Sequence, residues 1–175
     1  MFEDYLEDAR DLASRARQAS AEREAKRYYR ASVFYAVGAI EAFVNYVGDT
    51  FAQGGSLQPY EVAFLTDRKF DVVGARFEIL EEPEYHRVED KLKFVISKFI
   101  PTFDFQKTAS WSRLLSLKRF RDRITHPRGE EDEVPVPDYE RTIRSGLSST
   151  IEIMDLLCKG IFRRPLRKKL LDLRP

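Results

Sequence analysis

No glycine occurs before Gly38 and no proline before Pro59. A stretch this long without helix breakers or turn formers is committed to helix wherever its apolar residues are spaced to allow it. The spacing allows it twice. Phe2, Tyr5, Leu6, Ala9, Leu12, Ala13 and Ala16 recur at intervals that keep one face of a helix apolar, and Val33, Val37, Ile40, Val44, Val47 and Phe51 do so again. Gln18 to Lys26, between them, is almost entirely polar. The sequence therefore predicts a break or bend near Ser20, with Ser20 placed to cap a second helix. Residues 31–47 are apolar nearly all round, the mark of a helix central to a bundle. Glu41 and Asn45 interrupt that stretch, one turn apart on a shared face.

The rest of the chain continues in helical segments. Gly54-Gly55-Ser56 ends the second helix, and Pro59 to Asp67 reads as a short one. Residues 69–86 form an excursion, either irregular or a small hairpin around Gly74. Val88, Leu92, Val95, Ile96 and Phe99 mark a further helix, stopped by Pro101. Another begins near Ala109. Gly129, the acidic run Glu130-Glu131-Asp132-Glu133, Pro135 and Pro137 read as a solvated loop. Asp138 is placed to cap the last helix, whose stripe is Ile143, Leu147, Ile151, Met154, Leu157 and Ile161. The predicted fold is all-α, a bundle of four to five main helices with one small excursion. Residues 1–162 form a single domain on this reading, and 163–175 a basic C-terminal tail. That tail either packs on the bundle through a short amphipathic turn or serves as an arm for phosphate or a partner.

Composition narrows the function classes. The chain has 175 residues, 43% hydrophobic and 34% charged, enough for a folded core. Its net charge of +1 gives no global basic field, so nucleic-acid binding would need a local patch. Cys158 is the sole cysteine, which rules out an internal disulfide and a cysteine zinc site. His86 has no second ligand at metal spacing and reads as a surface or capping residue. Phe103, Phe105 and Trp111 fit core packing better than base stacking. No glycine-rich phosphate loop or Gly-x-Ser-x-Gly turn is present. The first eight residues are acidic and lack a signal-like apolar core, and no segment reads as a membrane span. The expectation is a cytoplasmic protein using neither metal nor cofactor.

Chemistry concentrates in Arg121-Asp122-Arg123-Ile124-Thr125-His126-Pro127. A residue before proline is pushed out of the α region, so His126 should close the helix that begins near Ala109. At about 100° per residue, Leu114, Phe120 and Ile124 fall within about 60° of Leu117, and Arg121 lies at about 40°, inside the same apolar stripe. An arginine there must reach water or a carboxylate. A purely structural pair would satisfy it, and so would a functional one, with Glu41 as the candidate partner. Arg119 shares a face with His126 but is followed by Phe120. Arg121 is the preferred motif arginine, with Arg119 and Arg123 as phosphate or RNA contacts.

Arg121-Asp122 followed by His126 resembles the signature of the HEPN superfamily of small helical bundles: arginine, a polar residue, then histidine a few positions on. The apolar helix carrying Glu41 is similar as well, and the resemblance spans residues 25–160. It implies a metal-independent endoribonuclease, toxin-like or defence-related, working as a homodimer. Arg121, Asp122 and His126 would be catalytic, with Glu41 and Asn45 in support. RNA supplies its own nucleophile, the 2′-hydroxyl. Histidine suits the proton transfers, and arginine's planar fork suits the phosphate. Asp122, one turn from His126, could fix the imidazole tautomer. Symmetric pairing would bring a second His126 into one cleft. The competing reading is a non-catalytic helical module that binds a protein partner, such as an antitoxin, or a nucleotide. The acidic run beside the motif weighs against RNA unless it points away.

Overall fold

The computed structural model describes residues 1–126 and 134–175. The expected solvated loop around the acidic run Glu130 to Glu133 lies outside these residues. In chain order the elements are α1 (Phe2–Gln18), α2 (Glu22–Gly54), α3 (Pro59–Leu65), β1 (Arg68–Val73), β2 (Arg76–Pro83), α4 (Val88–Phe99), α5 (Ala109–Thr125), α6 (Val136–Phe162) and α7 (Lys168–Leu171). Among the described residues the long helices are α1, α2, α4, α5 and α6, and the strands make one small antiparallel sheet. The chain is thus predominantly helical, as the spacing predicts. It divides into two compact units, residues 1–40 with 102–175 and residues 41–101, where the sequence suggested one domain over 1–162.

The first unit holds α1, the opening part of α2, α5, α6 and α7. On α1 the buried stripe is Leu6, Ala9, Ala13 and Ala16. Its alanines let a neighbouring backbone approach, and Ser32 Oγ on α2 donates a buried hydrogen bond to the Ala9 carbonyl at 2.6 Å. The break between α1 and α2 falls at residues 19–21. The Ala21 carbonyl accepts the first bonds of α2, from Glu24 and Ala25, so the second helix starts one residue later than a Ser20 cap would place it. Pro135, not Asp138, is the N-cap of α6. Pro137 fits the first turn because its missing N–H would have no helical partner there, and Asp138 pairs with Arg141 at 2.6 Å.

Helices α5 and α6 approach each other closely at Gly146. A Cβ built there would stand 2.8–2.9 Å from three atoms of Leu117, including its Cβ. Leu117 is fully buried, so it has nowhere to retreat. Gly146→Val is expected to destabilise the protein by about 1–3 kcal/mol through overpacking. Urea denaturation would show this as a lower midpoint at unchanged slope.

Residues 163–175, expected as a tail, close on this unit. Arg163 turns the chain in the left-handed region at φ 57°, and buried Asp155 accepts the Leu166 N–H at 2.9 Å. Leu166 and Leu170 are buried. Arg167 and Lys169 pair with Glu3, and Lys169 also with Glu7. The packing alternative of the sequence analysis therefore describes this segment.

The second unit holds the remainder of α2, then α3, β1, β2 and α4, around Leu57, Ala63, Leu65, Leu92, Val95 and Ile96. The excursion is a hairpin. Val73 pairs with Arg76 across the two-residue turn Gly74-Ala75, and only Gly74 there has positive φ, the pattern of a type II′ turn. Glu61 closes a capping box with Gln58 and pairs with Lys98. Burial raises the Glu61 pKa, but the Lys98 and Gln58 hydrogen bonds outweigh it and hold the carboxyl below its ordinary value.

Helix α2 contributes buried residues to both units and is long and apolar enough to cross a membrane by length and composition. This corrects the expectation that no segment approaches a span. The reason is that its central window holds no more than two charged residues. Within the protein 56% of that window is buried, as in a core helix.

Candidate functional site

Helix α5 is anchored before it begins. Asp104 Oδ1 accepts the backbone N–H groups of Gln106 and Lys107 at 2.9 and 3.1 Å. These bonds, Lys107's first, hold the Asp104 carboxyl below its usual range. Trp111 is buried in the first turn, edge-on to Phe105 at 5.0 Å, which in turn meets Phe103 at 4.9 Å. The three aromatics pack on one another, as the sequence favoured. Leu114 and Leu117 are buried, and Phe120 and Ile124 half-buried, so the predicted apolar stripe is the one that faces the core. Phe120 also stands edge-on to Tyr139 of α6 at 5.1 Å, tying the C-terminal half of α5 to its neighbour.

Helix α5 ends where the proline rule places its end. The His126 N–H donates to the Asp122 carbonyl at 3.1 Å, while its own backbone leaves the helix at φ −125°, ψ 65°. The His126 side chain is exposed. One turn earlier, the Arg121 side chain is 26% exposed, in keeping with a stem lying along the apolar stripe. Its Nε stands 3.1 Å from Asp122 Oδ1. The other Asp122 oxygen takes Lys118 Nζ, also at 3.1 Å. Asp122 thus lies within ion-pair range of Arg121 Nε, without a hydrogen bond at that nitrogen among the described residues, and is itself held from one turn back. The sequence had assigned it to the His126 ring, which carries no hydrogen bond among the described residues. The physical reason is reach: the carboxylate meets two long cationic side chains on its own helix before it meets a residue that has left the helix.

Arg119, Arg123 and His126 follow at intervals of four and three, one face of α5. Arg119 and Arg123 are exposed. They line an open groove of about 470 Å³ between α5 and α6, together with Arg113 and Ser116 of α5 and Arg141 and Ser145 of α6. Sequence reasoning found two of the four arginines. Arg113 and Ser116 were within its reach, since 113, 116, 120 and 123 repeat at three- and four-residue steps. Arg141 was not, because only the packing of α5 on α6 brings it opposite.

Glu41 and Asn45 lie on α2 in the other unit and line a smaller cavity of about 240 Å³ with Asp67, His86 and Lys91. Lys91 is the centre of this cluster. Its side chain is 4% exposed, and its ammonium donates to Asp67 Oδ2 at 2.6 Å and Asn45 Oδ1 at 3.2 Å. Asp67 Oδ1 accepts the His86 N–H at 2.9 Å, and the Asp67 backbone occupies the left-handed region just past α3. The His86 ring packs on Phe64 at 4.5 Å, half-buried with Nε2 covered, and the N-cap of α4 is Arg87 rather than His86. Lys91 and Asp67 were missed. The available signal was a lysine at the apolar spacing set by Val88, Leu92 and Val95.

Cys158 is buried, and burial followed by the neighbouring Asp155 charge pushes its thiol up to about 11. It is a packing residue and a poor nucleophile at neutral pH. Among the described residues no group of three or more His, Cys, Asp or Glu side chains is placed to hold a metal ion. No protein-family model, curated protein or solved structure matches the chain.

Proposed function

We propose that the chain is a HEPN-like, metal-independent endoribonuclease whose working form is a homodimer. The observation that supports this most is the end of α5. It presents an Arg121 guanidinium in ion-pair range of Asp122 and, five positions later, an exposed His126 that caps the helix.

The chemistry these groups suit is transesterification. The RNA 2′-oxygen attacks the adjacent phosphorus, and the bond from phosphorus to the 5′-oxygen breaks. One imidazole takes the 2′ proton and another gives a proton to the leaving 5′-oxygen. Arg121 faces the charge that builds on the non-bridging oxygens. Each chain offers one His126, so a two-fold assembly that brings two copies of the α5 end together supplies both proton carriers. The only other histidine, His86, belongs to the other unit. Glu41 and Asn45 enter as supporting residues only. The HEPN resemblance carries with it a cytoplasmic toxin or defence role and a dedicated antitoxin as protein partner.

Two measurements test this reading. Purified protein is expected to cleave RNA in excess chelator. Sedimentation equilibrium is expected to give a dimer at the concentrations where cleavage occurs. Activity from a strictly monomeric species would overturn the shared-site arrangement. Retention of all activity by the His126→Ala protein would overturn the ribonuclease assignment.

A further inference from the structure

We infer that the groove between α5 and α6 holds the phosphodiester backbone of the single-stranded RNA substrate; this rests on the ribonuclease reading above and extends it from the reacting groups to substrate binding. Three observations carry it. The first is concentration of charge. The whole chain has a net charge of +1, yet four arginines line this one groove and no carboxylate lines it among the described residues. Arg113 and Arg119 make no ion pair among the described residues, and the Arg141 guanidinium is steadied at the rim by Asp138. Guanidiniums gathered along one groove favour an anion lying among them.

The second observation is shape. Arg113 to Arg123 spans about 15 Å along α5 at 1.5 Å per residue, long enough for a few successive phosphates. Arg141 stands on the opposite wall, so a strand in the groove meets cations from both sides. Guanidinium forks match phosphate oxygens in bidentate pairs. Phe120 gives the groove an apolar patch. The third observation is register. Arg119 and Arg123 share their face of α5 with His126. A backbone lying along the arginines is therefore led toward the end of the helix where the proposed chemistry sits.

The test uses the full-length His126→Ala protein, so that binding is read without cleavage. The probe is a short fluorescein-labelled single-stranded RNA, followed by anisotropy over a range of KCl concentrations. Four phosphate contacts predict a slope of log K against log salt of about −2.8, at about −0.7 per neutralised phosphate. Adding Arg113→Ala and Arg141→Ala together is expected to weaken binding and flatten the slope by about 1.4. Adding Arg113→Lys and Arg141→Lys should keep most of the slope. Arg141 is 77% exposed and Arg113 is exposed, so neither pair of changes should alter the thermal midpoint. An unchanged slope in the double-alanine protein would overturn the groove assignment. Displacement of the RNA by polyglutamate at equal charge would also overturn it, and would point to an acidic polypeptide instead. The two proposals fail separately. If the slope behaves as stated but His126→Ala still cleaves RNA, the groove stands and the catalytic assignment falls. If His126→Ala abolishes cleavage but the slope ignores the arginines, the groove assignment falls alone.

Discussion

Replacing His126 with alanine is expected to slow RNA cleavage by about a hundred- to ten-thousandfold, the usual worth of a general acid–base group. Thermal stability and RNA affinity should stay close to wild type. The reason lies at the end of α5. What His126 contributes to the fold is its backbone N–H, which closes the helix on the Asp122 carbonyl at 3.1 Å. Alanine keeps that bond. The imidazole is exposed and takes no part in the core, so its removal leaves no cavity. A single-turnover cleavage assay beside a thermal melt separates the two effects. If His126→Ala unfolds the protein, the histidine is a structural cap and the catalytic assignment fails.

Arg121→Ala should also cost a large factor in cleavage, about a hundred- to a thousandfold by comparison with loss of other oxyanion donors. It should behave differently in a melt. The Arg121 stem is mostly buried on the stripe that packs Leu114 and Leu117. Truncation should therefore lower stability by about 1 kcal/mol. Arg121→Lys separates the two roles. Lysine restores the stem and the charge, so stability should return. It cannot restore a planar two-pronged donor, so cleavage should remain impaired. Asp122 would still hold Lys118 in either variant, which limits collateral change. Full recovery of cleavage by Arg121→Lys would mean that any cation suffices and that the fork plays no part.

How far the sequence could be read depended on how local each determinant is. The extent of α5, from Ala109 to a cap at His126, follows from an apolar stripe and one proline, both visible in a single segment. The break before α2 is equally local, a polar stretch between two periodic ones. The hairpin was ambiguous for a physical reason. Both faces of β1 and β2 are largely exposed, so no alternation of buried and solvated residues marks them as strands. The start of α6 was misplaced because Asp138 has the chemistry of a cap, while Pro135 and Pro137 fix the helix start through backbone geometry. Within the proposed site, the closing of α5 at His126 was legible, and the partners of Asp122 only partly so. Lys118 lies at the four-residue spacing that favours such a pair, but spacing alone does not choose between Lys118 and His126. Gly146, Arg141 and the pairing of Lys91 with Asp67 depend on helices or loops distant in sequence, and only the placement of Lys91 on an apolar stripe is visible locally.

The chemical ends left on cleaved RNA test the central claim most directly. Attack by the 2′-hydroxyl, with imidazoles carrying the protons, must leave a 2′,3′-cyclic phosphate on one fragment and a 5′-hydroxyl on the other. Purified wild-type protein in excess chelator is predicted to give those ends, and the His126→Ala protein prepared in parallel should give none above background. Fragments bearing 5′-phosphates, or cleavage equal in the two proteins, would contradict the account.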